Sequence, residues 1–167
     1  MTTPIVAIVG YSDSGKTRVA TALVRILTRK GYRIAAVKHC HDGHQLDLPE
    51  KDTAKLYAAG AARIVAVSPG QVTSVQRTEG EPSLEEIAAS VGQGYDLVLA
   101  EGFKGSSPPK VLVAGNEPLT ATSVIAFVSD SPVAGDGKPV FTFAEMERLA
   151  RLLEALYLPH HPSVGRV

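Results

Sequence analysis

The sequence predicts an α/β fold of three layers, in which a mostly parallel sheet lies between helices. Apolar runs of strand length alternate along the chain with segments of helical periodicity, which is the pattern of such folds. The first run, Ile5–Val9, is apolar throughout, as expected of a strand that is buried on both faces. The chain has 167 residues and is 44% hydrophobic, which suffices for one core. We therefore expect a single domain over residues 1–158 and a flexible tail over residues 159–167.

The individual elements follow from the spacing of the apolar residues. Strands are predicted over 5–9, 34–37, 64–67, 72–75, 96–100, 110–114, 123–128 and 140–141. Helices are predicted over 16–30, over 52–62, from Ser83 towards Val91, and over 143–158. Ser83 and Glu86 form the sequence pattern of a capping box, which marks the start of the third helix. Pro69 and Gly70 favour a tight turn, so we expect an inserted β-hairpin at this point of the chain.

Composition and charge exclude several classes of function. The 17 basic and 17 acidic residues cancel, so no overall charge attracts nucleic acid or an anionic membrane. The single cysteine, Cys40, cannot form an internal disulfide, which favours a reducing compartment. The apolar runs are too short to cross a bilayer, and the amino terminus lacks the features of a signal peptide. We therefore expect a cytoplasmic protein with no nucleic-acid partner and no membrane contact.

The segment between the first strand and the first helix carries a phosphate-binding motif. Residues 10–17 read GYSDSGKT and match G-x-x-x-x-G-K-[ST], in the strand–loop–helix context that the motif requires. Glycines allow backbone N–H groups and the positive end of the helix to surround an anion. Lys16 then reaches the β- and γ-phosphates, and the hydroxyl of Thr17 binds magnesium. The other residues expected around the phosphates are Gly10, Ser12, Asp13, Ser14 and Gly15; the alternative is a glycine turn that only begins a helix.

Glu101 is the carboxylate expected to accompany this motif. A phosphate-loop protein needs an acidic residue at the end of a neighbouring strand to hold magnesium, directly or through water. Glu101 follows the apolar run 97–100 and precedes Gly102, so we expect it at the carboxyl edge of the sheet, where ligands of such folds bind. The alternative is an ordinary exposed glutamate at a strand end.

The polar loop after the second strand has three interpretations. Lys38 is followed there by three imidazoles and the one thiol, in the order His39, Cys40, His41 and His44. Zinc binding is one interpretation, although the spacing matches none of the usual Cys and Cys/His frameworks. In the second, the loop leaves the sheet beside the phosphate loop, so that Asp47 joins the magnesium shell and Lys38, Lys51 or the histidines meet phosphate or substrate. The third is a mobile polar loop.

Several of these segments together resemble one family, the molybdopterin-guanine dinucleotide biosynthesis adaptor proteins known as MobB. The segments that carry the resemblance are 10–17, 38–41, 47–52, 58–61 and 101–104, and the likeness extends from Ile5 to about Leu156. The resemblance implies the P-loop NTPase fold and a GTP-binding protein with weak GTPase activity. It also implies a homodimer that assists the guanylyltransferase attaching GMP to molybdopterin. In this family a segment similar to the 64–78 hairpin pairs across the dimer; the alternative is a hairpin covered by solvent.

The resemblance also assigns ligands and site residues. It implies GTP and Mg²⁺ as the ligands, bound at the phosphate loop. Thr17, Asp47 and Glu101 would form the magnesium shell, and Lys16, Asp47 and Glu101 the catalytic set. We expect Lys38 and His39 to join the nucleotide contacts. The sequence offers no evident water-orienting glutamine and no placed arginine finger, so hydrolysis would be slow.

Recognition of the base is implied by the resemblance alone. Asp130 would accept hydrogen bonds from the N1–H and the exocyclic amine of guanine. Its place before Ser131-Pro132 also fits a simple turn. No N-K-x-D guanine motif occurs in the chain, so ATP stays open. A small ATP-dependent kinase or ligase of the P-loop class is the alternative function.

Overall fold

The computed structural model describes residues 3–40, 51–91, 94–115 and 120–158. They fall into two compact units, Met1–His39 with Ser83–Val167, and Cys40–Pro82. The second unit is therefore inserted in sequence between the two segments of the first. The tail predicted over 159–167 lies outside the described residues, and one domain over residues 1–158 stays a prediction.

The described residues form eight strands and four helices. The strands are β1 (Ile5–Val9), β2 (Ile34–Lys38), β3 (Arg63–Ser68), β4 (Gln71–Gln76), β5 (Leu97–Glu101), β6 (Lys110–Val113), β7 (Val124–Val128) and β8 (Val140–Phe141). The helices are α1 (Lys16–Arg29), α2 (Lys51–Ala58), α3 (Leu84–Val91) and α4 (Met146–Tyr157). Every predicted strand is present, with bounds that differ by no more than one residue at either end. No helix within the described ranges is both long enough and apolar enough to span a membrane.

The first unit is built on a six-stranded sheet with the order β2-β5-β1-β6-β7-β8, in which every pairing is parallel. Residues 6–9 of the central strand β1 are fully buried. Val6 and Ile8 pack into the cluster formed with α1 and α4, whereas Ala7 and Val9 pack into a second cluster with Leu84 of α3. Helices therefore contribute to the packing on both faces of the sheet, and the predicted three-layer α/β fold is confirmed.

The carboxyl ends of the parallel strands meet at one edge of the sheet. β1 has β5 on one side and β6 on the other. The chain moves from β1 to the β2 side and later returns to the β6 side, so the end of β1 is a topological switch point, where α/β proteins bind ligands. The segments that follow β1, β2, β5 and β7 all begin at this edge.

The connection from β5 to β6 is a short segment, residues 102–109, without a helix. It is anchored by Lys110, which is fully buried and whose Nζ donates hydrogen bonds to the carbonyl oxygens of Ser106 and Pro108. Burial lowers the pKa of Lys110, because the charged ammonium loses hydration. Lys110 thereby fixes the segment that begins immediately after Glu101.

The second unit contains α2 and the predicted antiparallel hairpin of β3 and β4. One face of the hairpin carries Val65, Val67 and Val72, which are 52%, 76% and 67% exposed. Arg77 ties the end of the hairpin to α2. Its guanidinium carbon lies 3.8 Å from the centroid of the Tyr57 ring, and its Nη2 donates to the Tyr57 carbonyl oxygen at 2.6 Å.

Two helices are shorter than their apolar spacing predicts. α2 ends at residue 58 because Gly60 adopts a left-handed backbone, φ 104°, and the Ala61 N–H donates back to the Leu56 carbonyl oxygen at 3.3 Å. α4 begins at residue 146 and not at 143. The preceding residues form a separate turn, in which the Thr142 N–H donates to the carboxylate of Glu145 at 2.9 Å. Both ends are set by hydrogen bonds that the apolar pattern does not encode.

Candidate nucleotide-binding site

The phosphate loop, residues 10–15, leads from the buried end of β1 directly into α1. Asp13 and Gly15 have left-handed backbone, with φ of 58° and 95°. A side chain at Gly10 would collide with Ser14 and would lie 2.7 Å from the Val113 carbonyl oxygen, so the tight curl requires glycine there. Backbone N–H groups of such a curl, together with the start of a helix, form a concavity that favours anions.

Lys16 and Ser14 supply polar side chains to the loop. Lys16 Nζ donates to the Tyr11 carbonyl oxygen at 2.5 Å, which holds the ammonium across the curl. Ser14 Oγ is buried and has no hydrogen-bond partner among the described residues. Because a buried hydroxyl without a partner costs about 1–3 kcal/mol, this group is suited to bind a ligand oxygen.

Thr17, in the first turn of α1, meets Glu101 at the carboxyl end of β5. Thr17 Oγ1 donates to Glu101 Oε1 at 2.8 Å, and Lys38 Nζ lies 3.4 Å from the same oxygen. The strand register explains the meeting, since Glu101 pairs with Ile8 of β1 and with Lys38 of β2. The Glu101 side chain is only 13% exposed. A hydroxyl and a carboxylate are oxygen ligands of the kind that Mg²⁺ prefers, so these residues fit the predicted ion.

The loop after β2 is described only as far as Cys40. Outside the described residues lie His41, His44 and Asp47. His39 donates its N–H to the Glu101 carbonyl oxygen at 2.9 Å, and its ring centroid lies 4.8 Å from that of Phe103. Within the described ranges, no three His, Cys, Asp or Glu side chains are grouped so that they could hold a metal ion. The zinc interpretation and the place of Asp47 both stay predictions.

Asp130 follows β7 and is linked to the phosphate loop through Phe143. Asp130 Oδ1 accepts the N–H of Phe143 at 3.0 Å. The Phe143 ring lies against Gly15, where an added Cβ would be 2.8 Å from two ring carbons. The guanidinium carbon of Arg18 lies 4.6 Å from the centroid of the same ring. The sequence did not predict a role for Phe143, whose one signal is its position shortly after β8.

A second contact joins the segment after Glu101 to the loop. Lys104 Nζ lies 5.6 Å from the centroid of the Tyr11 ring, and Tyr11 is 40% exposed. In the sequence, Lys104 belongs to the family-like segment 101–104, but no pattern there predicts its role. The structure thus brings together most predicted site residues and adds three that were not assigned to it, namely Arg18, Lys104 and Phe143.

Comparison with known proteins identifies relatives of this chain. Residues 5–130 match the family described as molybdopterin guanine dinucleotide synthesis protein B, or MobB. The chain is 32% identical over 115 residues to the molybdopterin-guanine dinucleotide biosynthesis adapter protein of Haemophilus influenzae, which covers 68% of this chain and 65% of that protein. It is 32% identical over 140 residues to the adapter protein of Escherichia coli, which covers 78% of this chain and 80% of the relative.

Solved structures share the fold. The crystal structure of Bacillus subtilis MobB superimposes with a TM-score of 0.75 at 24% identity, covering 92% of this chain and 98% of that one. A crystal structure of molybdopterin-guanine biosynthesis protein B gives a TM-score of 0.70 at 29% identity, covering 91% and 99%. The family match extends from β1 through Asp130 and so includes both the phosphate loop and Glu101. The chain therefore belongs to the MobB family.

Proposed function

We propose that this protein is a GTP-binding adapter in molybdopterin guanine dinucleotide biosynthesis, with weak GTPase activity. The observation that carries the proposal is the 2.8 Å hydrogen bond from Thr17 to Glu101, which joins the phosphate loop to a largely buried carboxylate. The relatives from H. influenzae and E. coli are named as adapter proteins of this biosynthesis. In this role the protein assists, in the cytoplasm, the guanylyltransferase that attaches GMP to molybdopterin.

The phosphate loop binds the triphosphate in this proposal. Backbone N–H groups of the curl donate to phosphate oxygens, and the buried hydroxyl of Ser14 gains the partner it lacks among the described residues. Lys16 turns from the Tyr11 carbonyl oxygen to the β- and γ-phosphates. The remaining loop residues assigned to this site are Gly10, Ser12, Asp13 and Gly15.

Thr17 and Glu101 hold Mg²⁺ in this proposal, the carboxylate directly or through water. The bound ion would neutralise charge on the β- and γ-phosphate oxygens. Lys38 lies 3.4 Å from Glu101, which supports a contact between its ammonium and a phosphate bound beside this carboxylate. His39 supports the corner through its backbone N–H on the Glu101 carbonyl oxygen. Asp47 is proposed as a further ligand from the family resemblance alone.

Asp130 is the proposed acceptor for the guanine base. The Phe143 N–H on Oδ1 orients the carboxylate, and the Phe143 ring links it to the phosphate loop at Gly15. A carboxylate can accept from two donors side by side, which guanine offers in its N1–H and exocyclic amine. Adenine presents an acceptor at N1 and does not match. This chemistry supports GTP over ATP.

Slow hydrolysis follows from the groups that surround Glu101. The side chains in contact with its carboxylate, among the described residues, are the Thr17 hydroxyl and the Lys38 ammonium. These groups position the phosphates and neutralise charge. An arginine finger, where one is used, adds about 10³–10⁵-fold to the rate.

A second copy of the chain is the proposed partner of the 64–78 hairpin. Its exposed valine face, with Val67 at 76% and Val72 at 67% exposure, offers apolar area that a second copy would cover. Sedimentation velocity at micromolar concentration should show a dimer. A single species of 17.6 kDa would contradict the assignment.

Nucleotide competition tests the proposed function. Fluorescent GTP is titrated with Mg²⁺ and displaced by unlabelled GTP or ATP, and GTP should displace it at much lower concentration. Lys16→Ala should abolish binding, whereas Lys138→Ala, an exposed lysine before β8, should leave it unchanged. Equal displacement by ATP would favour the kinase or ligase alternative.

The adapter role is tested in a GMP-transfer reaction with the guanylyltransferase of the same organism. Adding the protein should raise the rate of dinucleotide formation, and Lys16→Ala should raise it less. A wild-type chain that binds no nucleotide would overturn the phosphate assignment. A rate that does not respond to the protein would contradict the adapter role.

A further inference from the structure

A strained turn follows the proposed magnesium carboxylate. Gly102 and Phe103 both adopt left-handed backbone, with φ of 95° and 56°. Glycine enters this region freely, but in a phenylalanine the Cβ crowds the following carbonyl group. Strain of this kind persists where the surroundings enforce it, and it occurs most often at ligand sites. The strained turn therefore indicates that the position of the next residue, Lys104, is important.

Neighbouring groups hold the turn in this conformation. Ser106 donates its N–H at 3.0 Å and its hydroxyl at 2.7 Å to the Phe103 carbonyl oxygen. The His39 ring packs at 4.8 Å from the Phe103 ring, between centroids. A side chain at Gly102 would lie 2.8 Å from the His39 Cβ, so this position requires glycine. Lys110 in turn fixes Ser106 from the sheet.

Lys104 directly follows this turn and is positioned by it. Its Nζ lies 5.6 Å from the centroid of the Tyr11 ring, which belongs to the phosphate loop. The Tyr11 carbonyl oxygen accepts a hydrogen bond from Lys16, so both ammonium groups approach the loop at this residue. Lys38 brings a third ammonium, 3.4 Å from the Glu101 carboxylate. These three ammonium groups outnumber the carboxylates of Glu101 and of Asp13 in the loop, and the excess of positive charge favours a polyanion.

The order of contacts along the loop indicates which phosphate Lys104 meets. Phe143 and Arg18 lie at the helix end of the loop, where the proposed function places the base. Glu101 belongs to the proposed magnesium site, where the ion would neutralise charge on the β- and γ-phosphate oxygens. Lys104 comes three residues after Glu101 and contacts the loop at its strand end, through Tyr11.

We infer that Lys104 binds the terminal phosphate of the nucleoside triphosphate and so distinguishes it from the diphosphate. The inference rests on the proposed function, since it assumes that a nucleotide occupies the phosphate loop. In this inference Lys104 determines the specificity for the triphosphate over the diphosphate. The ammonium acts through its charge and a hydrogen bond and takes part in no covalent step.

The test compares Lys104→Met and Lys104→Arg by titration with GDP and with a non-hydrolysable GTP analogue, both with Mg²⁺. Methionine keeps most of the side-chain stem, and Lys104 is exposed, so thermal unfolding should match the wild type. Lys104→Met should raise the Kd for the triphosphate about tenfold, as expected for one charged hydrogen bond. Its Kd for GDP should stay within about twofold of wild type. Lys104→Arg keeps the charge and should retain most of the discrimination.

Lys138→Met is the matched control, because it also removes one exposed lysine, and both affinities should stay at the wild-type value. Equal weakening of GDP and the triphosphate analogue by Lys104→Met would overturn the inference, as would no change in either. A wild-type chain that binds neither nucleotide would instead contradict the proposed function. If the wild type binds nucleotide and Lys104→Met still distinguishes the triphosphate from GDP as the wild type does, the proposed function stands and only the role of Lys104 is refuted.

Discussion

Replacing Glu101 with glutamine separates the charge of the proposed magnesium site from its shape. In the wild type the Glu101 carboxylate accepts the Thr17 hydroxyl at 2.8 Å and lies 3.4 Å from the Lys38 ammonium. The amide of glutamine keeps an oxygen that can accept the hydroxyl, but it loses the charge attraction to Lys38. Lys38 is 59% exposed, so this ion pair contributes at most about 1 kcal/mol. A hydrogen bond to a charged acceptor exceeds a neutral one by about 1 kcal/mol. The free energy of unfolding should therefore fall by only about 1–2 kcal/mol.

Magnesium affinity should change much more than stability in Glu101→Gln. Loss of a carboxylate that supports a bound metal typically weakens metal affinity about 10–100-fold. The assay is a magnesium titration at fixed GTP analogue, which should show the midpoint shifted upward by that factor, beside urea unfolding. Glu147→Gln is the matched control, since Glu147 of α4 pairs with Arg29 of α1 at 3.4 Å and is 56% exposed. An unchanged magnesium midpoint in Glu101→Gln would refute the assignment of this carboxylate to the ion.

Three further substitutions examine the loop, the buried lysine and the base. Gly10→Ala places a Cβ 2.7 Å from the Val113 carbonyl oxygen, so it should abolish GTP binding and lower the free energy of unfolding by about 1–3 kcal/mol, and wild-type affinity in a titration would contradict this. Because burial lowers the folded-state pKa of Lys110, the unfolded chain holds more protons at alkaline pH, and the free energy of unfolding should rise from that lowered pKa up to about pH 10.4. Urea melts across that window should show the rise in wild type and lose it in Lys110→Met; equal slopes would count against it. Asp130→Asn should weaken GTP binding and favour xanthosine triphosphate, which has a carbonyl where guanine has its amine, and an unaltered ratio of the two affinities would remove Asp130 from the base site.

The parts of the fold that depend on neighbouring residues could be predicted from the sequence. The capping box of α3 is confirmed: the Ser83 N–H donates to the Glu86 carboxylate at 2.8 Å, and the Glu86 N–H donates to Ser83 Oγ at 3.2 Å. The strand, glycine loop and helix of the phosphate motif were predictable for the same reason, because they are consecutive in the sequence. The meeting of Thr17 with Glu101 was also predictable, because parallel strands end at a common edge.

Contacts between distant turns, unlike contacts between the ends of parallel strands, could not be predicted in this way. The Phe143 ring reaches Gly15 only because a turn precedes α4, and that turn depends on hydrogen bonds between Thr142 and Glu145. The approach of Lys104 to the loop depends on a left-handed phenylalanine, which no propensity favours. Periodicity reports which face of an element is buried, but it carries no information on how two turns from opposite parts of the chain come together.

The packing of Phe143 on Gly15 connects the phosphate loop with the segment that precedes the last helix. The ring leaves no room for a methyl group at Gly15, so the backbone before Lys16 cannot move towards the ring unless the ring also moves. Phe143 stands just before the last helix, and its own backbone is held by Asp130. A shift of Gly15 towards the ring would therefore press on the segment that leads into α4, although the two positions lie far apart in the sequence.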